Sequence, residues 1–151
     1  MGKYIGIKMI EAYPMRASMA VSNGYKIGNS HPDDMGYVIT YPDDYKSWCP
    51  ADIFEKSYYH IQDENGDMLY RNDIENFIAD KESIKIGTKT TNTTLTTVTG
   101  FEVHGQSSCV KAENFNMETG EQYAVEKAKD QLWFALGFVL QWAKNGIKRN
   151  K

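Results

Sequence analysis

The chain has 151 residues, 25% of them charged and 41% hydrophobic, which fits one ordinary domain or two very small ones sharing a core. A net charge of −3 and a pI near 5.6, with Arg16, Arg71 and Arg149 as the only arginines, leave no electrostatic footprint for general nucleic-acid binding. The longest apolar run, Leu132 to Leu140, is far short of the roughly 18 to 20 residues of a membrane helix, so no membrane association is expected.

The N-terminal stretch MGKYIGIKMIEAY lacks the long apolar run and the cleavage site of a signal peptide. Cys49 and Cys109 lie in different regions and form no CxxC pair, which reads as two small buried thiols in a reduced cytoplasm. Ten Tyr, six Phe and three Trp point either to binding surfaces, where Tyr offers apolar area with a polar tip, or to an aromatic-filled core.

In chain order, residues 3–12 and 35–42 read as strands. In MGYVITYP the side chains of Tyr37, Ile39 and Tyr41 share one face with Val38 opposite, the pattern of a half-buried strand. Residues 14–34, with Asn23-Gly24, Gly28 and His31-Pro32, read as an ordered loop or a short helix with turns. Pro42-Asp43-Asp44 marks a turn, making 35–48 a hairpin that ends at Trp48. Pro50 suits the first turn of a helix over 51–60, with Ile53, Phe54, Ser57 and Tyr58 on one face.

The polar run Gln62 to Asp67 is the candidate boundary, separating a part over 1–62 from a part over 68–151. Asn72 can then cap a short helix whose first turn holds Asp73 and Glu75 and whose inner face holds Ile74, Phe77 and Ile78. Residues 82–98 and 101–110 read as a strand pair joined at Thr99-Gly100. The threonines at 88, 90, 91, 93, 94, 96, 97 and 99 surround only Leu95 and Val98. Such a strand favours β structure, but its polarity on both faces predicts an edge, or the hydroxyl-lined wall of a wet groove.

A long helix is predicted from about Glu113 to Lys144, with Asn145-Gly146 as its stop. From Leu132 to Ala143 only Gln141 is polar. One face, Leu132, Leu136, Val139 and Ala143, fits a core of this size. The opposite aromatic face, Phe134, Phe138 and Trp142, would stay wet and form an oligomer interface unless the N-terminal region folds over it. Gly137 costs about 1 kcal/mol of helix propensity and allows close helix approach.

His31, His60 and His104 are widely separated, with no partner at metal-ligand spacing, so no metal or cofactor is expected. Asp63, Asn65 and Asp67 resemble a calcium loop only superficially. Gly66 is at the fourth rather than the sixth position, and Ile74 stands where a bidentate Glu belongs. Ser107-Ser108-Cys109 offers nucleophiles without a base marked by spacing, and no phosphate-loop, GxSxG or HExxH pattern occurs. The residues point away from an enzyme.

The string Gly100-Phe101, Val103, Gly105, Ser107, Cys109-Val110, Asn114-Phe115, Gly120, Ala124, Ala128, Trp133, Gly137 and Leu140 follows a recognisable order. Over residues 71–143 the chain resembles the tailed-phage gene-product-forty-nine family of small accessory proteins. That resemblance implies a phage accessory protein and a fold, and no reaction. Lys3-Tyr4-Ile5-Gly6, Pro14-Met15, Gly36-Tyr37-Val38 and Ser47-Trp48-Cys49-Pro50 with Phe54-Glu55 look like an N-terminal module of phage accessory genes, with Cys49 where serine is more usual.

These readings give an α+β chain of two small antiparallel sheet-plus-helix parts with a long C-terminal helix. The leading function is non-enzymatic binding in the host cytoplasm by a homo-oligomer, sequestering a small nucleotide-derived immune signal, by analogy with other small oligomeric phage proteins. In that reading Phe101 stacks on a ring, Thr97 or Ser107 donates to phosphate, Asn114 reads a polar edge and Arg71 pairs with phosphate. The alternatives are a protein-interaction module that binds and inhibits a host protein through the aromatic stripe, and a virion assembly factor.

Overall fold

Asp44 takes a left-handed backbone, φ 67°, in the turn that reverses the chain between β2 (Met35–Thr40) and β3 (Lys46–Pro50). The Tyr41 amide donates to the Tyr45 carbonyl at 2.9 Å and closes the reversal. The computed structural model describes residues 1–150. It is an α+β chain that divides into two compact units. One is Met1–His60 together with the residues from Ala143 onward, and the other is Ile61–Trp142.

In the first unit β1 (Glu11–Arg16) pairs antiparallel with β2, and β2 with β3, giving the sheet order β1-β2-β3. The strand expected over 3–12 begins only at Glu11. Its partner β2 ends at Thr40, opposite Glu11, where the chain enters the turn, so residues before Glu11 have no ladder to join. They run without regular structure, tied by the Met9 amide to the Ala143 carbonyl at 3.2 Å and by the Lys8 ammonium over the Tyr41 ring.

Helix α1 (Ala17–Ser22) packs Ala17 and Ala20 against Val38 and Trp48, and the Trp48 indole N–H donates to the Met15 carbonyl at 2.8 Å. Helix α2 (Ala51–Ser57), entered through Pro50, stacks Phe54 on Tyr37 with ring centroids 4.0 Å apart. Val38 and Ile39 point to opposite faces of β2, yet both are buried. The half-buried reading of this strand is therefore corrected to one covered on both faces. Ile53, expected to share a face of α2 with Phe54, is exposed.

The second unit starts from Asp73, a carboxylate only 1% exposed. It accepts the Tyr70 amide at 2.7 Å and the Gln62 amide at 2.9 Å, so Asp73, and not Asn72, fixes the start of α3 (Arg71–Asn76). Three strands follow, β4 (Ile78–Ile86), β5 (Thr90–Thr97) and β6 (Glu102–Ser108), in the order β4-β5-β6. Helix α4 (Met117–Asn145) is preceded by a single tight turn at Ala112–Asn114, so it begins four residues later than expected.

The threonine-rich strand is β5, the centre of its sheet, which corrects the edge reading. Alternation splits the threonines: Thr91, Thr93 and Thr97 are buried beside Leu95, and Thr90, Thr94 and Thr96 stay partly exposed with Asn92. Two of the buried hydroxyls find hydroxyl partners, Thr93 with Ser83 and Thr97 with Thr99, both at 2.8 Å. That pairing removes most of the cost of burying them. On the other face, Thr90 bonds Ser108 at 2.7 Å and Thr94 bonds His104 at 2.9 Å.

The core of this unit is Ile74, Leu95, Val103, Ala128 and Leu132, with Ile78 and Leu136 packed against it. Small residues set how close α4 approaches. A Cβ at Gly105 would overlap the Ala124 carbonyl and the Ala128 amide, and one at Gly120 would overlap Thr91 Oγ1.

Candidate functional site

The five residues read as ligand-binding fall at separate places in the second unit. Ser107 lies opposite Thr91, at the far end of the β5–β6 pair from Thr97. The six residue steps from Thr91 to Thr97 put the two ends about 20 Å apart, at about 3.3 Å per residue. Phe101 is at the Thr97 end, 67% exposed just after the β5–β6 turn. Asn114 is exposed in the turn before α4, its amide donating to the Lys111 carbonyl at 3.0 Å. Thr97 and Phe101 therefore share one end of the hairpin and Ser107 lies at the other.

Arg71 stands elsewhere, in a cleft between α3 and α4. Its guanidinium Nε is 3.4 Å from Glu75 Oε1 and its Nη2 is 3.5 Å from Glu126 Oε1. Lys129 completes the network, with Nζ 2.7 Å from Glu75 and 3.6 Å from Glu126. Glu75 faces both cations, and the hydrogen bond from Lys129 is the main cause holding its carboxyl below the usual range. The cleft, about 90 Å³ and lined also by Ile74 and Trp133, is far smaller than the 300–1,000 Å³ typical of small-molecule sites. Two carboxylates already neutralise its two cations, so a phosphate there would have to displace Glu75 and Glu126 from Arg71.

Of this group, only Arg71 is read from the sequence as a ligand-binding residue. Glu126, Lys129 and Trp133 recur at helical spacing, which marks one face of α4. Their meeting with α3, more than fifty residues earlier, leaves no local signal. Among the described residues no group of three or more His, Cys, Asp and Glu could hold a metal ion.

Cys49 and Cys109 are half-buried rather than buried, and both are free. Burial, then the Asp52 carboxylate, raises the Cys49 thiol above its ordinary value. Cys109 donates to the Lys111 carbonyl at 3.1 Å. The raised Cys49 thiol is the opposite of a nucleophile's environment, in which cations stabilise the thiolate.

The largest exposed apolar feature on α4 is its outer face. Phe134 is 81% exposed and Phe138 is 62% exposed, with Trp133 and Val139 partly open beside them. Trp142 is half-buried, its ring edge-on to Phe138 at 6.2 Å between centroids. Gly137 lies between the two phenylalanines, and a Cβ there would meet nothing within 4 Å. The helix thus keeps Leu132 and Leu136 in the core and turns Phe134 and Phe138 outward, whereas Trp142, expected on the same wet face, is half-buried. Val139, expected on the inner face, is instead 38% exposed. No helix among the described residues is long and apolar enough to cross a membrane.

No curated protein and no solved structure matches the chain. Residues 69–143 match the model of the family described as "Phage protein (N4 Gp49/phage Sf6 gene 66) family". The matched stretch runs from the start of α3 to the last turns of α4 and includes the small residues Gly105, Gly120, Ala124 and Ala128 that seat the helix on the sheet. Through this segment the chain belongs to that phage protein family.

Proposed function

We propose that this phage accessory protein is non-enzymatic and works in the host cytoplasm by contact with another protein chain, using the outer face of α4 as its binding surface. The observation that carries this reading is the exposure of Phe134 and Phe138 on consecutive turns of one rigid helix. Keeping aromatic area in water is costly, at about 25 cal/mol per Å² of apolar surface, and an unpartnered patch of this kind is typical of interfaces. Sequestration of a nucleotide-derived signal has less support. Thr97 and Ser107 lie at opposite ends of their hairpin, and Arg71 is already engaged by two carboxylates.

The test is a photo-crosslinking amino acid placed at position 134 in cells producing the protein. A discrete protein adduct is expected from position 134 and not from position 88, which lies in the β4–β5 turn. Absence of any position-specific adduct would sink the reading.

A further inference from the structure

β4 is an edge of the second sheet, with β5 as its one strand neighbour, and most of its nine residues are exposed. The Thr97 amide donates to the Phe101 carbonyl and the Cys109 amide to the Lys89 carbonyl, both at 2.9 Å. These bonds mark the odd-numbered positions from 89 to 97 as those turned toward β6. Antiparallel alternation then assigns Thr90, Asn92 and Thr94 to β4, opposite Ile86, Ile84 and Glu82. Lys81, Ser83 and Lys85 therefore direct their amides and carbonyls away from the sheet. Among the described residues no strand or loop backbone pairs with that edge. The opposite edge differs, because the His104 carbonyl of β6 accepts the Gln131 side chain from α4.

An open strand edge of this length is a template for another strand, and lysines projecting from it are a common defence. Here the lysines are turned away and engaged. Lys81 and Lys85 lie on the α4 face, where Lys81 pairs with Glu121 at 2.9 Å and Lys85 sits over the Phe115 ring at 4.4 Å. The face turned away from α4 receives Asp80, Glu82, Ile84 and Ile86. The two isoleucines are 49% and 44% exposed. Among the described residues neither carboxylate has a cation within ion-pair distance. The same face of the three strands adds a further carboxylate, Glu102, and no lysine or arginine. A second copy of β4 cannot supply the missing charge, because cross-strand neighbours share a face and β4 has no cation on this one. We infer that β4 takes up, antiparallel along its outer edge, an extended segment of another protein with lysine or arginine opposite Asp80 and Glu82 and apolar side chains opposite Ile84 and Ile86. Main-chain bonds to Lys81, Ser83 and Lys85 hold the segment, and the carboxylates and isoleucines select it. The contact spans Asp80 to Ile86 and leaves out the turn at position 88. It is a different surface from the outer face of α4 and stands without it.

The probe is a labelled synthetic peptide in which isoleucine, threonine, isoleucine, threonine, lysine, threonine and lysine follow one another from the N-terminus. It is titrated into the full chain and read by fluorescence anisotropy, with amide hydrogen exchange followed by NMR on the same samples. Without peptide, the amides of Glu82 and Ile84 are expected to be protected and those of Lys81, Ser83 and Lys85 to exchange quickly. With saturating peptide these three should slow by about tenfold or more. A peptide with glutamate in place of both lysines should bind about tenfold more weakly or worse. Asp80→Lys with Glu82→Lys, at two exposed positions, should keep the fold by circular dichroism and reverse that preference. Lys85→Pro removes one outward amide at an edge position that tolerates proline, and should weaken the lysine peptide about threefold or more. Failure of the lysine peptide to bind, equal binding of the two peptides, or binding that leaves the three amides unprotected overturns the inference. Slowing of the three amides by protein concentration alone also overturns it, since a second copy is then the occupant.

Discussion

Gly105 on β6 lies directly beneath Ala124 on α4, so close that a Cβ would overlap the helix backbone. The obstacle is a carbonyl and an amide of the helix, not a flexible side chain, so neither partner can move aside cheaply. This contact sets the depth at which the long helix sits on the second sheet.

Gly105→Ala should therefore destabilise the second unit by about 3 kcal/mol, at the upper end for overpacking a core. Urea denaturation followed by circular dichroism measures it. A loss below about 0.5 kcal/mol would show that the helix can lift off the sheet at little cost.

Thr91 is fully buried against Gly120, and its hydroxyl has no hydrogen-bond partner among the described residues. An unsatisfied buried hydroxyl costs about 1–3 kcal/mol. Thr91→Val keeps the shape and removes that cost, so the midpoint of thermal unfolding should rise, by about 1 kcal/mol in stability. A fall of that size would mean the hydroxyl does have a partner in solution.

Asp73 joins two amides, those of Gln62 and Tyr70, from within the core of the second unit. Asp73→Ala should cost about 2–3 kcal/mol, above the usual value for a helix cap because two part-buried amide hydrogen bonds are lost together. Hydrogen exchange should show faster opening at Gln62 and Tyr70 first. Unchanged protection at both amides would contradict the assignment.

Glu75 is held below the ordinary carboxylate range chiefly by its hydrogen bond from Lys129, and Glu121 by hydrogen bonds from Ser83 and then Lys81. A carboxyl lowered in the folded state contributes stability that is present above its unfolded pKa and lost as pH falls through its folded one. Stability of the second unit should thus be steady near neutrality and decline below about pH 4.5, where these carboxyls ordinarily titrate. Glu75→Gln with Glu121→Gln should flatten that decline. Both groups are partly solvated, so the effect is modest. An acid limb of equal slope in the variant would rule these two carboxylates out as its source.

The sequence by itself determined several turns, helix starts and helix faces. Pro42-Asp43-Asp44 made the first hairpin turn, Pro50 opened α2, and the one-sided pattern of Leu132, Leu136, Phe134 and Phe138 gave a helix with a buried and an exposed face. These features depend on residues within a turn or two of each other, where backbone sterics and side-chain period suffice. The ordered string that carries the family resemblance was legible for the same reason.

Tertiary structure alone decided which strand is central and what Arg71 touches. The threonine strand is polar enough to read as an edge, yet Gly105, Gly120, Ala124 and Ala128 let α4 lie close over its inner face, where Thr91, Thr93 and Leu95 are buried. Two of the buried threonine hydroxyls are satisfied, Thr93 by Ser83 across the sheet and Thr97 by Thr99 in the turn that follows. Arg71 has an unsatisfied look in sequence, but Glu126 reaches it from α4 at 3.5 Å. The strand that would have begun near residue 3 starts at Glu11, because a ladder exists only as far as its partner extends. Each of these outcomes depends on which distant segment packs alongside, and local propensity carries no record of that.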